Sequence, residues 1–297
     1  MSEKKKSDLG PRLLTAAVAI PILLYLIFVA PKWAFFALIA WASGTSAWEY
    51  VNITLGADKA AARWLTTLLG IGLMSVLYWA PASFLFALSA AVIGLMIYFL
   101  FKYESIETAT RDIGACVVGL IYGGLLISTM ALLNRDAGNA GPFWVFMAMS
   151  IVWMSDTGAY FAGRAFGKHK LYPAVSPAKS IEGAIGGFLS AILLAFLWDK
   201  GFTAMAGEGL STTLFGIEAL KVDLQWKELG IINILILTIP ANILGQVGDL
   251  AESLVKRSHG VKDSGTVIRG HGGMLDRIDA LIFATPWVYF FYLTFVA

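Results

Sequence analysis

Apolar stretches about as long as a bilayer is thick recur along this 297-residue chain and leave few architectures open to it. They lie at about 12–30, 33–54, 63–80, 83–102, 112–134, 141–163, 180–199, 228–256 and 277–297. Roughly 20 helical residues cross the hydrocarbon layer, and a backbone inside lipid must satisfy its own hydrogen bonds, so each stretch is read as a helix. Composition agrees: 58% of residues are apolar and 14% charged, against roughly 45–50% and about 25% in soluble domains. The expectation is an all-α, polytopic integral membrane protein with about nine transmembrane helices. Residues 1–11 form a tail and 12–297 a single transmembrane domain.

Lys4, Lys5, Lys6 and Arg12 precede the first apolar run, which superficially resembles a signal peptide. No small-residue cleavage site interrupts the run before the next begins, so it is read as a retained span. With the tail in the cytoplasm, only Lys32, Arg135, Lys200, Lys221 and Lys227 of the 22 Lys and Arg fall outside. That bias predicts an N-in, C-out chain with its glycine-rich polar loops on the cytoplasmic side. The net charge of +2 gives no reason to expect a nucleic-acid partner. Cys116 is the single cysteine, so an intrachain disulfide and a cysteine-rich metal framework are both excluded. The connection 202–226 has weak apolar patterning, is read as a loop with a surface helix, and carries no assignable chemistry.

Charge is concentrated between Asp249 and Asp279. Asn242, Gln246, Asp249 and Ser253 recur every three or four residues, with Glu252 and Lys256 close to the same side, so a helix presents them on one face. Such a stripe is costly against lipid and should face the bundle interior or a wet cavity. Next come Ser258-His259-Gly260-Val261-Lys262-Asp263-Ser264-Gly265 and Arg269-Gly270-His271-Gly272-Gly273, where glycines let backbone amides and bases approach an anion. Asp276 and Asp279 then share a face at the start of the ninth helix. With Asp249 they offer hard oxygen ligands that suit Mg²⁺ rather than zinc, and a cation among bases is what a transferring phosphoryl group requires.

The run from Ser253-Leu254-Val255-Lys256-Arg257 through Lys262-Asp263-Ser264-Gly265 to His271-Gly272-Gly273-Met274-Leu275-Asp276-Arg277-Ile278-Asp279 resembles the signature of the phosphatidate cytidylyltransferase (CDP-diacylglycerol synthase) family. Arg269 departs from it, since the family usually has proline before Gly-His-Gly-Gly. A second run, Ser155-Asp156-Thr157-Gly158-Ala159-Tyr160 followed by Ser176-Pro177-Ala178-Lys179-Ser180-Ile181-Glu182-Gly183, is similar to a family pattern too. The resemblance implies a nucleotidyltransferase that converts CTP and phosphatidate to CDP-diacylglycerol and diphosphate. The expected setting is the inner, cytoplasmic membrane, with 12–297 the catalytic domain and its site facing the cytoplasm. Expected partners are CTP, phosphatidate and membrane lipid, with a homodimer as the assembly and Mg²⁺, with room for a second cation, as the cofactor. On this reading Asp249 and Asp276 bind the metal with Asp279 as a third ligand. Lys256, Arg257, Lys262, His271 and Arg277 neutralise phosphate oxygens, Lys179 and Ser180 approach from the other loop, and Asp156 and Ser253 complete the substrate site.

Other residues carry plainer readings. Gly158, Ala159 and Gly163 are expected to serve close helix packing. Glu49 is read as a buried pair or interface residue, His169 and His259 as loop histidines, and Trp33, Trp79, Trp226 and Tyr103 as interfacial anchors. Three other functions fit parts of the pattern: a CTP-dependent lipid or polyprenol kinase, CDP-archaeol synthesis on ether lipids, and an ion-coupled secondary transporter. The crowding of polar residues towards one end argues against the transporter.

Overall fold

The computed structural model describes residues 9–207, 226–267 and 272–297. The chain runs through α1 (Leu9–Phe28), α2 (Lys32–Leu55), α3 (Ala60–Trp79), α4 (Phe84–Lys102), α5 (Ile106–Val118), α6 (Ser128–Asp136) and α7 (Gly141–Phe166). Strands β1 (Lys170–Tyr172) and β2 (Ser176–Ser180) follow, then α8 (Ile181–Gly207), α9 (Gly230–Ser258) and α10 (Leu275–Phe295). Six helices among the described residues are long and apolar enough to cross a membrane, which makes this a multi-pass membrane protein. Helices α2 and α7 have 24 and 26 residues but are not among the six. Buried Ser43, Ser46 and Glu49 in α2, and Ser150 and Ser155 in α7, lower their apolarity because these helices line the bundle interior.

Three expectations need correction. The chain is not wholly helical: before α8, β1 and β2 form an antiparallel hairpin, with Lys170 opposite Ser180 and Tyr172 opposite Ser176. Helix α8 continues to Gly207, so Phe202 is helical rather than loop, while residues 208–225 lie outside the described part. Trp226 is not an interfacial anchor. It is buried against Trp144, and its indole donates to Asp199 at 2.9 Å, whereas Trp33, Trp79 and Tyr103 are exposed.

The predicted fifth span comprises α5, a π-helical segment Gly119–Leu125 and α6. The widened turn frees backbone carbonyls, and Ser43 of α2 donates to that of Gly124 at 2.5 Å. Proline 240 within α9 likewise cannot donate to the carbonyl of Ile236, which accepts instead from the indole of Trp287 at 3.2 Å.

Helices α7 and α8 meet through small residues. A Cβ on Gly187 would stand 2.5 Å from the Ser155 carbonyl, and one on Gly158 would stand 2.9 Å from that of Gly186. Gly163 lies opposite the backbone of Gly183. This is the close packing expected of Gly158 and Gly163, and it aligns the N-terminal end of α8 with the C-terminal end of α7.

Polar contacts gather at the two ends of the bundle. At one end Lys59 pairs with Glu104 at 2.8 Å and with Asp112 at 3.5 Å. At the other, Lys32 donates to the carbonyls of Arg135 and Gly138, and Tyr289 donates to Asp136 at 2.5 Å.

Candidate active site

The polar face predicted for 242–256 forms on α9. Gln246 donates to Asn242 at 2.6 Å and to the Ala184 carbonyl of α8 at 3.3 Å, and Ser253 lies 3.5 Å from Asp249. Across from it, strand β2 carries Lys179 to Asp249, with Nζ 2.5 Å from Oδ2. The hairpin is braced by Glu182 at the start of α8. Its carboxylate accepts from the backbone amides of Lys168 and His169 at 3.1 and 3.2 Å and lies 2.6 Å from His169 Nδ1. Ser180 is buried and accepts from the Gly183 amide at 3.1 Å, capping α8. Its hydroxyl therefore serves the helix as well as facing the site. Between α7, the hairpin, α8 and α9 lies a cavity of about 620 Å³, whose polar lining includes Asp156, Tyr160, Arg164, Lys179, Gln246 and Asp249.

A second polar centre lies at the start of α10. Lys256 Nζ stands 2.6 Å from Asp276 Oδ1 and 2.5 Å from Glu252 Oε2. The other oxygen of Asp276 accepts from the backbone amides of Ser264 and Gly273 at 2.9 and 2.8 Å. Asp276 thus closes the loop between α9 and α10 as well as pairing a base. Gly272 has φ +82°, which suits a residue without a Cβ, and a Cβ there would press on the Asp276 carboxylate at 2.6 Å.

The remaining expected residues divide. Asp279 packs against α9, its carbonyl 2.6 Å from where a Cβ on Gly248 would stand, and one of its side-chain oxygens accepts from the Ala280 amide at 2.8 Å. Arg277 is exposed on the first turn of α10. Arg257 is turned away: its guanidinium donates to the Val261 carbonyl at 2.9 Å, securing the end of its own helix. Lys262 is exposed and has no ion pair among the described residues. His271 and Arg269 lie outside the described residues. Sequence reasoning gave no role to Glu182 or Glu252. Glu182 was readable as an acidic residue in a first helical turn, and Glu252 as the i−4 partner of Lys256.

The expected Mg²⁺ can be tested against these donors. Among the described residues no three carboxylate, imidazole or thiol groups form a ready-made metal shell. Mg²⁺ does not require one, because it is commonly held by one or two carboxylates plus substrate phosphates and water. Asp249 lines the cavity, and Asp279 on α10 packs against Gly248, the chain neighbour of Asp249, so the residues fit such a cation through hard oxygen donors.

Membrane-crossing helices around a cavity lined by paired bases and carboxylates define a multi-pass membrane protein with a polar site at one end of its bundle. The particular family follows from comparison. A model of the cytidylyltransferase family matches residues 10–295, and the chain belongs to that family, whose members are nucleotidyltransferases. It is 30% identical over 291 residues to the phosphatidate cytidylyltransferase of Bacillus subtilis, covering 95% of this chain and 97% of that protein. It is 43% identical over 152 residues to the one from Haemophilus influenzae, covering 51% of this chain and 46% of that protein. Similarity to the Staphylococcus epidermidis protein is 37% over 175 residues, covering 59% and 57% respectively.

Proposed function

We propose that the protein is a phosphatidate cytidylyltransferase, joining CTP and phosphatidate into CDP-diacylglycerol with release of diphosphate at the cytoplasmic face of the cell's inner membrane. The observation that carries this reading is the Lys179–Asp249 pair, which ties the second family-like run to the polar face of α9 one turn before the first run begins at Ser253. In this reaction a phosphate oxygen of phosphatidate attacks the α-phosphorus of CTP. The bond from that phosphorus to the bridging oxygen breaks, and diphosphate leaves with the electron pair. The phosphomonoester has a second pKa of about 6, so the nucleophile is largely a dianion at neutral pH and needs no strong general base. Positioning and charge neutralisation are the main tasks left to the protein.

Lys179 can turn from Asp249 to a phosphate oxygen, Lys256 adds its charge from its fixed place between Glu252 and Asp276, and Lys262 and Arg277 supply positive charge from exposed positions. Asp249 and Asp279, with Asp276 nearby on α10, are the residues that would hold Mg²⁺. When bound, the cation supplies neutralisation of the triphosphate and polarisation of its reacting phosphorus. Acyl chains remain in the bilayer, while CTP enters from water at the same end. Nine spans with N-in, C-out orientation would put that end in the cytoplasm, in keeping with the excess of Lys and Arg assigned there.

Incubation of the purified protein with CTP, phosphatidate and Mg²⁺ tests the reading. CDP-lipid and diphosphate should appear in equal amounts. Release of CDP with a phosphorylated lipid would assign a kinase instead.

A further inference from the structure

Glu49 lies on α2, far in sequence from both motifs, yet its buried carboxylate receives Ser264 from within the α9–α10 connection and Met274 and Leu275 from its end. Oε2 accepts from Ser264 Oγ at 2.8 Å and from the Leu275 amide at 2.8 Å, while Oε1 accepts from the Met274 amide at 3.0 Å. Met274 and Leu275 open α10, so these bonds satisfy N–H groups with no partner in their own helix and put negative charge at its positive end. The loop is shaped to admit the carboxylate. A Cβ on Gly265 would stand 2.5 Å from Oε1, and one on Gly273 would collide with both oxygens.

The residues held by Glu49 also hold Asp276. Ser264 and Gly273 donate their amides to Asp276 Oδ2, and Ser264 Oγ accepts from the Asp276 amide at 3.3 Å. Asp276 in turn fixes Lys256 at 2.6 Å. Glu49 is 3% exposed and is absent from the lining of the 620 Å³ cavity, so its route to the chemistry runs through these contacts.

We propose that Glu49 is a positioning residue for the transfer reaction: it clamps residues 264 and 274–275 together and thereby sets Asp276 and Lys256 at the phosphate-binding end of the site. The kinetic part of this inference rests on the cytidylyltransferase reading. Glu49→Gln keeps the side chain's shape but sets an amide N–H₂ against groups that must donate. Its expected effect is an about 10- to 100-fold fall in kcat, the range for loss of a group that orients an active-site ligand. KM for phosphatidate should stay near native, and because the thermal midpoint in detergent should fall as buried donors lose their acceptor, kcat is referred to the folded fraction. Amide exchange in the peptide 262–276 should accelerate, with that of α7 unchanged. Ser264→Ala leaves α2 unaltered but removes one of the three bonds to Glu49 together with the one from the Asp276 amide, and should lower kcat by about 5- to 100-fold, the worth of two hydrogen bonds. It is the variant to read should Glu49→Gln fail to fold.

Native kcat per folded molecule in both variants would overturn the proposal, as would a loss of activity that merely follows the loss of folded protein. Amide exchange needs no substrate. If the native protein formed no CDP-lipid, the proposed reaction would fall, while unchanged exchange at 262–276 in Glu49→Gln would separately remove the clamp.

Discussion

Asp249 and Asp276 each face a lysine, but their surroundings differ, and so should the consequences of altering them. The side chain of Asp276 is 6% exposed and accepts two backbone amides as well as Lys256, whereas that of Asp249 is 30% exposed and borders the cavity. Asp276→Asn removes charge from a satisfied buried site and turns a donor towards donors, so it should lower stability by about 1–3 kcal/mol along with activity. Asp249→Asn should leave the thermal midpoint near native and reduce incorporation of labelled CTP into lipid by on the order of 100-fold, the scale for loss of an electrostatic group at the reacting centre. Unfolding in detergent and turnover with titrated Mg²⁺ read the two effects separately. Near-normal turnover in both variants would remove them from the metal and phosphate chemistry. Lys262 has another kind of role open to it. It is exposed in the loop, so Lys262→Ala should raise KM for CTP with no change in unfolding.

The contact between α7 and α8 fixes the cavity's width, because Asp156 is on one helix and the hairpin carrying Lys179 leads into the other. Gly187→Val would force a side chain against the Ser155 carbonyl, and overpacking of this kind costs about 1–3 kcal/mol. The variant should unfold at lower temperature and lose activity. Gly94 on α4 has nothing within 4 Å of a Cβ position, so Gly94→Val should behave like the native protein in both assays. Equal effects at the two glycines would refute the assignment of close packing to α7 and α8. Much of this arrangement was legible in the sequence, because apolar length marks a span and a period near 3.6 marks the polar face from Asn242 to Lys256. The hairpin was not, since Pro173 and Pro177 interrupt a segment too short to show alternation. Burial of Trp226 depends on Asp199 and Trp144, and the role of Glu49 on residues more than 200 positions away, so neither has a local signal.

The two ends of the bundle sort the loops without reference to a compartment. Lys59 with Glu104 joins the turns after α2 and α4, and Glu49 brings the α9–α10 loop to that same end. Lys32, Arg135, Gly138 and Tyr289 meet at the opposite end. The segment Ile106–Asp136 separates them: its 31 residues would extend about 45 Å as a helix, more than the ~30 Å hydrocarbon layer. If the lysine and arginine bias sets orientation, the end bearing Glu49 and Lys262 faces the cytoplasm. Cysteine labelling can decide this, because Cys116 is wholly buried and can be replaced by alanine to give an unreactive background. In that background Lys102→Cys and Lys262→Cys, both at exposed positions, should react with a membrane-impermeant maleimide only in inside-out vesicles. Asn139→Cys, exposed at the other end, should react only in intact spheroplasts. Reaction of Lys262→Cys in intact spheroplasts would place the site on the side away from the cytoplasmic CTP pool and overturn the proposed orientation. Reaction of Lys102→Cys and Asn139→Cys from the same side would instead show that Ile106–Asp136 does not cross the membrane. The two outcomes therefore distinguish an inverted protein from a wrong path of the chain.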